Sequence, residues 1–135
     1  MKKGFTLIEL LLVITIIGIL SGIALIRIGG MNHYREKMEI KGLVKELHTM
    51  RNTAIHKNRR IYFNAIGEKD FIITDRRDYR REHHLMNLKF SRKDFHFYFT
   101  SLGAPEEGFT MVLRGKRRYK IIVPAALGKI QWIVE

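Results

Sequence analysis

The amino terminus of the chain holds an apolar run from Phe5 to Ile28, interrupted by Thr6, Glu9, Thr15, Gly18, Ser21, Gly22 and Arg27. About 20 predominantly apolar residues are enough for a helix to cross a bilayer. A secretory signal peptide has a shorter apolar core of about 7–15 residues and a small-residue cleavage site behind it, and neither feature is present. The run therefore predicts one membrane-spanning helix, preceded by Met1-Lys2-Lys3-Gly4. Glu9 does not belong in such a helix. A charge at the centre of a span costs about 2.5–3.5 kcal/mol on insertion scales. Either Glu9 lies close enough to the helix end to reach the interface, or it is a functional carboxylate with a partner. The obvious partner is a positive group on another copy of the same helix.

After residue 30 the chain changes character. Of 25 Lys and Arg only Lys2, Lys3 and Arg27 precede Met31, and of 13 Asp and Glu only Glu9 does, so nearly all of the +12 formal charge lies in the remainder. Between Met31 and about His56, the residues Ile40, Leu43, Leu47, Met50 and Ala54 recur in steps of three and four, with Val44 alongside. That is the apolar stripe of an amphipathic helix. Lys37, Lys41 and Lys45 form a like-charge row that suits a solvated face or a partner contact, and Asn52, His56, Lys57 and Asn58 suit the helix end. From Arg59 the pattern is that of short strands: Ile61–Phe63, Phe71–Thr74, Phe95–Thr100, Thr110–Leu113, Tyr119–Val123 and Ile130–Val134, with turns at Gly67–Asp70, Gly103–Gly108, Gly115-Lys116 and Leu127–Lys129. Connections this short favour antiparallel hairpins. In Phe95, Phe97 and Phe99 the alternation puts three rings on one face, a core pattern. A strand region this small needs the amphipathic helix to complete its core.

Cysteine is absent, which excludes disulfides, thiolate metal sites and a cysteine nucleophile. His83-His84 with Asp78 and Glu82 lack metal-ligand spacing, Ser91 and Ser101 lack a nucleophile context, and no glycine-rich phosphate loop is present. No catalytic residue, cofactor or metal is expected, and the chain does not read as an enzyme. Two basic clusters remain. Arg76-Arg77-Asp78-Tyr79-Arg80-Arg81, followed by His83-His84, reads as an exposed loop. Arg114, Lys116, Arg117, Arg118 and Lys120 surround a turn between two late strands. Such clusters beside aromatics can bind nucleic-acid phosphates. They equally serve as solvated faces, or as contacts to acidic subunits and lipid headgroups.

Lys3-Gly4-Phe5-Thr6-Leu7-Ile8-Glu9-Leu10-Leu11, followed by Val13-Ile14-Thr15-Ile16-Ile17-Gly18-Ile19-Leu20, resembles the leader and first helix of type IV pilins and type II secretion pseudopilins. The order of late strands and turns, with Phe99–Gly103, Gly115 and Gly128-Lys129, is similar to the minor H-type pseudopilins and T-type fimbrial minor pilins. The resemblance implies an α+β, pilin-like fold: a leader (1–4), a membrane-spanning assembly helix (5–28), an amphipathic helix (29–58) and a β-rich body (59–135) with a small antiparallel sheet. It implies cleavage by a prepilin peptidase between Gly4 and Phe5, methylation of the new amino terminus on Phe5, and pairing of Glu9 with the amino terminus of a neighbouring subunit. The partners it implies are the peptidase, other pilin or pseudopilin subunits and membrane lipid. The place is the inner membrane, single-pass, and then a pilus or pseudopilus. A count of flanking Lys and Arg would keep the body inside, whereas the resemblance puts it on the outer, periplasmic side. DNA is a partner only in the alternative of a DNA-binding minor pilin for uptake in natural transformation, with Arg114, Lys116, Arg117, Arg118 and Lys120 as the candidate DNA-binding residues. Many pilins have a proline late in the first helix. This chain has none there, so Gly18, Ser21-Gly22 and Gly29-Gly30 are the helix-weakening positions.

Overall fold

The computed structural model describes residues 6–126 and 129–135, without the side chains of residues 24–30. Gly4 and Phe5, and with them the leader, cleavage point and methylation site, lie outside the described residues, as does part of the turn expected at Leu127–Lys129. One helix, α1 (Leu7–Lys57), precedes eight strands: β1 (Ile61–Ile66), β2 (Asp70–Thr74), β3 (Arg80–His84), β4 (Lys89–Phe90), β5 (His96–Phe99), β6 (Phe109–Arg114), β7 (Arg118–Val123) and β8 (Gln131–Val134). The helical backbone continues through Gly29-Gly30. The chain divides into two compact units, the first ending at Tyr34 and the second running from Arg35 to Glu135.

In the first unit, every described side chain from Leu7 to Ile23 is exposed, including Leu7 at 82% and Ile8 at 74%. These apolar residues face all directions around the helix, so no inward stripe exists. No helix among the described residues is long and apolar enough to cross a membrane. The described side chains stop at Ile23, while the apolar run of the sequence continues to Ile28.

In the second unit, two four-stranded antiparallel sheets share a single apolar core with α1. Sheet A has the order β3-β2-β1-β5 and sheet B the order β4-β6-β7-β8. The sequence led to one small sheet; there are two because β5 pairs back to β1, whereas β6, β7 and β8 pair with one another and take the two-residue β4 at their edge. The predicted stripe of α1 is buried at Ile40, Leu43, Leu47, Met50 and Ala54. It joins Ile61, Phe63, Phe71, Ile73, Phe97 and Phe99 of sheet A and Met111, Leu113, Tyr119, Ile121 and Val123 of sheet B in one cluster. Burial alternates along β1, β5, β6 and β7, as strands with one face inward require. The amphipathic helix is therefore part of the body, and a boundary at 58/59 separates nothing in space. Phe63 is the hub of the aromatic packing. It stacks on Phe71 and Phe97 at centroid distances of 4.9 and 5.0 Å and meets Phe90 and Phe95 edge-on at 6.0 and 6.5 Å. The helix ends in a left-handed residue, Asn58 at φ 50°, with Arg59 N–H donating to Ala54 O at 3.1 Å.

The basic stretch read as an exposed loop is instead a turn and an edge strand. Arg80–His84 lacks apolar periodicity, yet pairs over its whole length with β2, Asp70 opposite His84 and Thr74 opposite Arg80. Across that ladder His84 Nδ1 lies 2.6 Å from Asp70 Oδ1, and an outer strand rich in Arg and Glu protects a sheet edge from pairing with other chains. The β2–β3 turn is organised by Asp75, whose Oδ1 accepts N–H bonds from Arg77 and Tyr79, both at 2.9 Å. Its other oxygen lies 3.5 Å from Lys57 Nζ and 3.7 Å from Arg59. Burial alone would raise the Asp75 carboxyl. The two N–H bonds, the Asp78 side chain and the Lys57 charge outweigh it and hold the carboxyl well below the usual carboxylate range. A depressed folded pKa adds stability that is fully present above about pH 4, the unfolded value, and is lost as the pH falls below it. Urea midpoints of the wild type are therefore expected to fall between pH 5 and pH 3. Asp75→Asn should start lower and show a flatter acid limb. An equally steep acid limb in the variant would remove Asp75 as its source.

Candidate assembly and interaction sites

Glu9 sits in the first turn of α1, and the structure gives it a partner in its own chain. Its Oε2 accepts from the Thr6 N–H and the Thr6 hydroxyl, both at 2.8 Å, while Glu9 N–H faces Thr6 Oγ1 at 3.4 Å. This reciprocal pattern is a capping box, in which Thr6 is the N-cap and Glu9 the third helical residue. The signal was present in Thr6-Leu7-Ile8-Glu9, whose spacing is that of the motif, but the apolar neighbours make the cost of the charge the more prominent feature. Chemically, the cap holds the carboxylate at the start of the helix, bonded to the Thr6 N–H and hydroxyl.

At the other candidate site, the five basic residues of the late cluster divide into two groups. Arg118 and Lys120 both pair with Glu135, Arg118 at 3.7 Å, and Glu135 N–H donates to Arg118 O, so the end of the chain neutralises half of the β7 charge. Arg114, Lys116 and Arg117 are exposed, and none has a carboxylate within ion-pair distance among the described residues. In the earlier basic stretch most cations are engaged. Arg80 pairs with Glu82 at 2.7 Å, and Arg76, at a left-handed φ of 63°, lays its guanidinium over the Tyr62 ring at 4.0 Å. Arg76 and Tyr62 help to line an open groove of about 470 Å³ on the outer face of sheet A, together with His96, Tyr98 and Glu106. There a hydrogen bond with Glu106, reinforced by partial desolvation, pushes the Tyr98 phenol up.

A residue absent from the sequence-derived candidates holds the late turn in place. Glu36 of α1 is 3% exposed. Its Oε1 accepts the Lys116 N–H at 2.7 Å and its Oε2 accepts the Tyr119 hydroxyl at 2.9 Å. The turn backbone approaches so closely that a Cβ on Gly115 would lie 2.6 Å from Glu36 Oε1. Burial, and then the hydrogen bond to Glu36, push the Tyr119 phenol up to about 12. Glu36 stands four residues before Ile40, on the same stripe as Leu43, Leu47 and Met50. A carboxylate on the buried face of an amphipathic helix is the signal that could have found it.

Close by on α1, Glu39 acts in a similar way. Its carboxylate accepts N–H bonds from Met86 and Asn87, the latter at 2.9 Å. Among the described residues, no group of three His, Asp or Glu side chains converges. His84 is engaged by Asp70, and His83 stacks on Phe71 at 4.9 Å with Nε2 3.8 Å from Glu46.

Residues 1–25 match the family model of the prokaryotic N-terminal methylation motif. The chain carries a prokaryotic N-terminal methylation motif. The match covers Gly4, Phe5, Thr6 and Glu9 and ends within α1, so it bears on processing and on the first helix, not on the two sheets. No curated protein and no solved structure matches the chain.

Proposed function

We propose that this chain is a pilin-like structural subunit, anchored by its first helix in the cytoplasmic membrane and assembled into a type IV pilus or a type II secretion pseudopilus. The observation that carries the reading is the methylation motif at residues 1–25. The first unit supports it. A helix with exposed Leu, Ile and Val side chains on every face from Leu7 to Ile23 requires an apolar surrounding, either lipid or neighbouring helices. In this reading a prepilin peptidase cuts after Gly4, Phe5 becomes the methylated amino terminus, and the body stands on the periplasmic side. The finer assignment, a minor subunit of the H type with no enzymatic role, rests on the order of late strands and turns. The DNA-uptake alternative relies on the late cations, of which Arg118 and Lys120 are already paired, so it enters below as a competing outcome.

The capping box gives Glu9 two successive roles. In the precursor, the two bonds from Thr6 compensate the carboxylate during insertion. In the filament, a neighbour's amino terminus would supply the full positive charge that a hydroxyl and an amide lack, and such a pair is strong only where water is excluded.

The test is processing and incorporation in cells that carry the secretion or pilus machinery. Gly4→Ala should leave the unprocessed precursor in the membrane, and normal cleavage of that variant would sink the peptidase assignment. Glu9→Leu should be cleaved and inserted yet be recovered in sheared filaments at less than about a tenth of the wild-type level, the loss of roughly one charge-assisted bond. Thr6→Ala should be milder. Equal incorporation of Glu9→Leu and wild type would refute the pairing role.

A further inference from the structure

We propose that the β6–β7 turn, together with the helix residues to which it is tied, forms a cationic surface that binds anionic phospholipid headgroups. The proposal rests on the membrane-anchored reading above and adds a second membrane contact, made by the body itself. The turn is fixed to α1 through Glu36, which takes up the Lys116 N–H and the Tyr119 hydroxyl. The residues flanking Glu36, Arg35 and Lys37, are exposed, as are Arg114, Lys116 and Arg117. Five cations thus flank one buried carboxylate or the turn bonded to it, and each oxygen of that carboxylate already accepts a hydrogen bond. None of the five has a carboxylate within ion-pair distance among the described residues, whereas Lys89 and Arg118, the next basic residues along the sheet edge, are held by Glu68 and Glu135. A cluster left unpaired in a body where seven carboxylates, from Glu46 to Glu135, are already taken by other basic side chains suits an external anion.

Chain connectivity says which anion is near. Ile28 ends the apolar run, and Arg35 follows it with the backbone helical throughout. The polar layer of a bilayer is about 5–8 Å deep on each side, and a surface charge is felt over a further Debye length of about 8 Å. Seven residues along the chain separate the end of the apolar run from Arg35 and nine separate it from Lys37, so connectivity alone tethers both near the headgroups of a bilayer that the run would span. A duplex would compete with the bilayer for this end of the body, and would engage few of the phosphates that tight DNA binding uses. Connectivity to the apolar run thus favours phosphate on lipid over phosphate on DNA.

The experiment uses the full chain with phosphatidylcholine vesicles, and with vesicles that also contain phosphatidylglycerol. Flotation first reports anchoring. Amine acetylation of Lys116 is then followed by mass spectrometry and normalised to Lys57, which lies at the far end of α1. Anionic vesicles should slow Lys116 labelling about tenfold relative to phosphatidylcholine, the factor that one or two surface cations are worth at such a bilayer. Arg114→Gln with Arg117→Gln should abolish most of that difference while leaving flotation unchanged. A chain that fails to float overturns the anchored reading and the headgroup surface with it. Flotation with equal Lys116 labelling in both lipids overturns the headgroup surface alone. Shielding of Lys116 by duplex DNA at physiological salt, without shielding by anionic vesicles, would assign the surface to nucleic acid instead.

Discussion

Glu36→Leu is expected to lower the stability of the body by about 2–4 kcal/mol. The substitution fills the space with a side chain that accepts no hydrogen bond, so the Lys116 N–H and the Tyr119 hydroxyl lose their acceptor together. Each buried donor left unpaired costs about 1–3 kcal/mol, partly offset by the gain in apolar burial. Glu36→Gln keeps one carbonyl acceptor and should cost about half as much. Urea unfolding of the detergent-solubilised chain, followed by the fluorescence of Trp132, measures both variants. A Glu36→Leu midpoint equal to wild type would show that the turn stands without its latch. The same site predicts an alkaline limb. With the Tyr119 phenol raised to about 12, the folded state holds its proton longer than the unfolded chain, whose tyrosines titrate near 10. Stability is fully present below about pH 10 and declines as the pH rises towards 12. Tyr119→Phe should remove that decline while lowering the neutral-pH midpoint.

Phe63→Ala should be more damaging still. The ring is fully buried and touches Phe71, Phe97, Phe90 and Phe95, which come from β2, β5, β4 and the segment before β5. Truncating a buried Phe costs about 3–5 kcal/mol in lost transfer energy and residual cavity. Single domains have about 5–15 kcal/mol in total, so the variant should be largely unfolded at moderate urea. Phe63→Leu, which retains most of the volume, should lose less than half as much. The two midpoints, compared in the same detergent, test whether the cost follows cavity volume. A Phe63→Ala loss below about 1 kcal/mol would mean that the neighbouring rings close the gap.

Where local chemistry controls local structure, the residues announced the outcome. The stripe Ile40, Leu43, Leu47, Met50, Ala54 is buried because a helix places every third or fourth residue on one face. The strands that contain Ile61, Phe71, Phe97, Met111 and Tyr119 bury alternate residues because a pleat does the same with period two. Asn58 marked the helix end, and Gly67, at φ 78°, marked a hairpin turn that needs a left-handed residue. The strand β3 left no such mark because it carries Arg80, Arg81, Glu82, His83 and His84. Its stability comes from a ladder to β2, the Asp70–His84 contact across it and side-chain contacts to Glu46 of α1, and none of these leaves an apolar period. The two-residue β4 is too short to have a period at all.

The candidate sites divide along the same line. The amino-terminal motif is contiguous, so Gly4, Phe5 and Glu9 could be named from the chain alone, and the cap from Thr6 to Glu9 is written in four consecutive residues. The role of Glu36 is not, because its partners Lys116 and Tyr119 lie some eighty residues away and only folding brings them to it. The basic cluster was legible as a run of charges. Which of those charges are free depended on Glu135 reaching back to Arg118 and Lys120. Sequence by itself determined the apolar first helix, the motif at its start, the amphipathic stripe and most strands, because each is set by neighbours along the chain. The tertiary structure alone decided that there are two sheets and that Glu36 anchors the β6–β7 turn. Those outcomes depend on pairings between distant segments, whose free energy appears only once the backbone has brought them together.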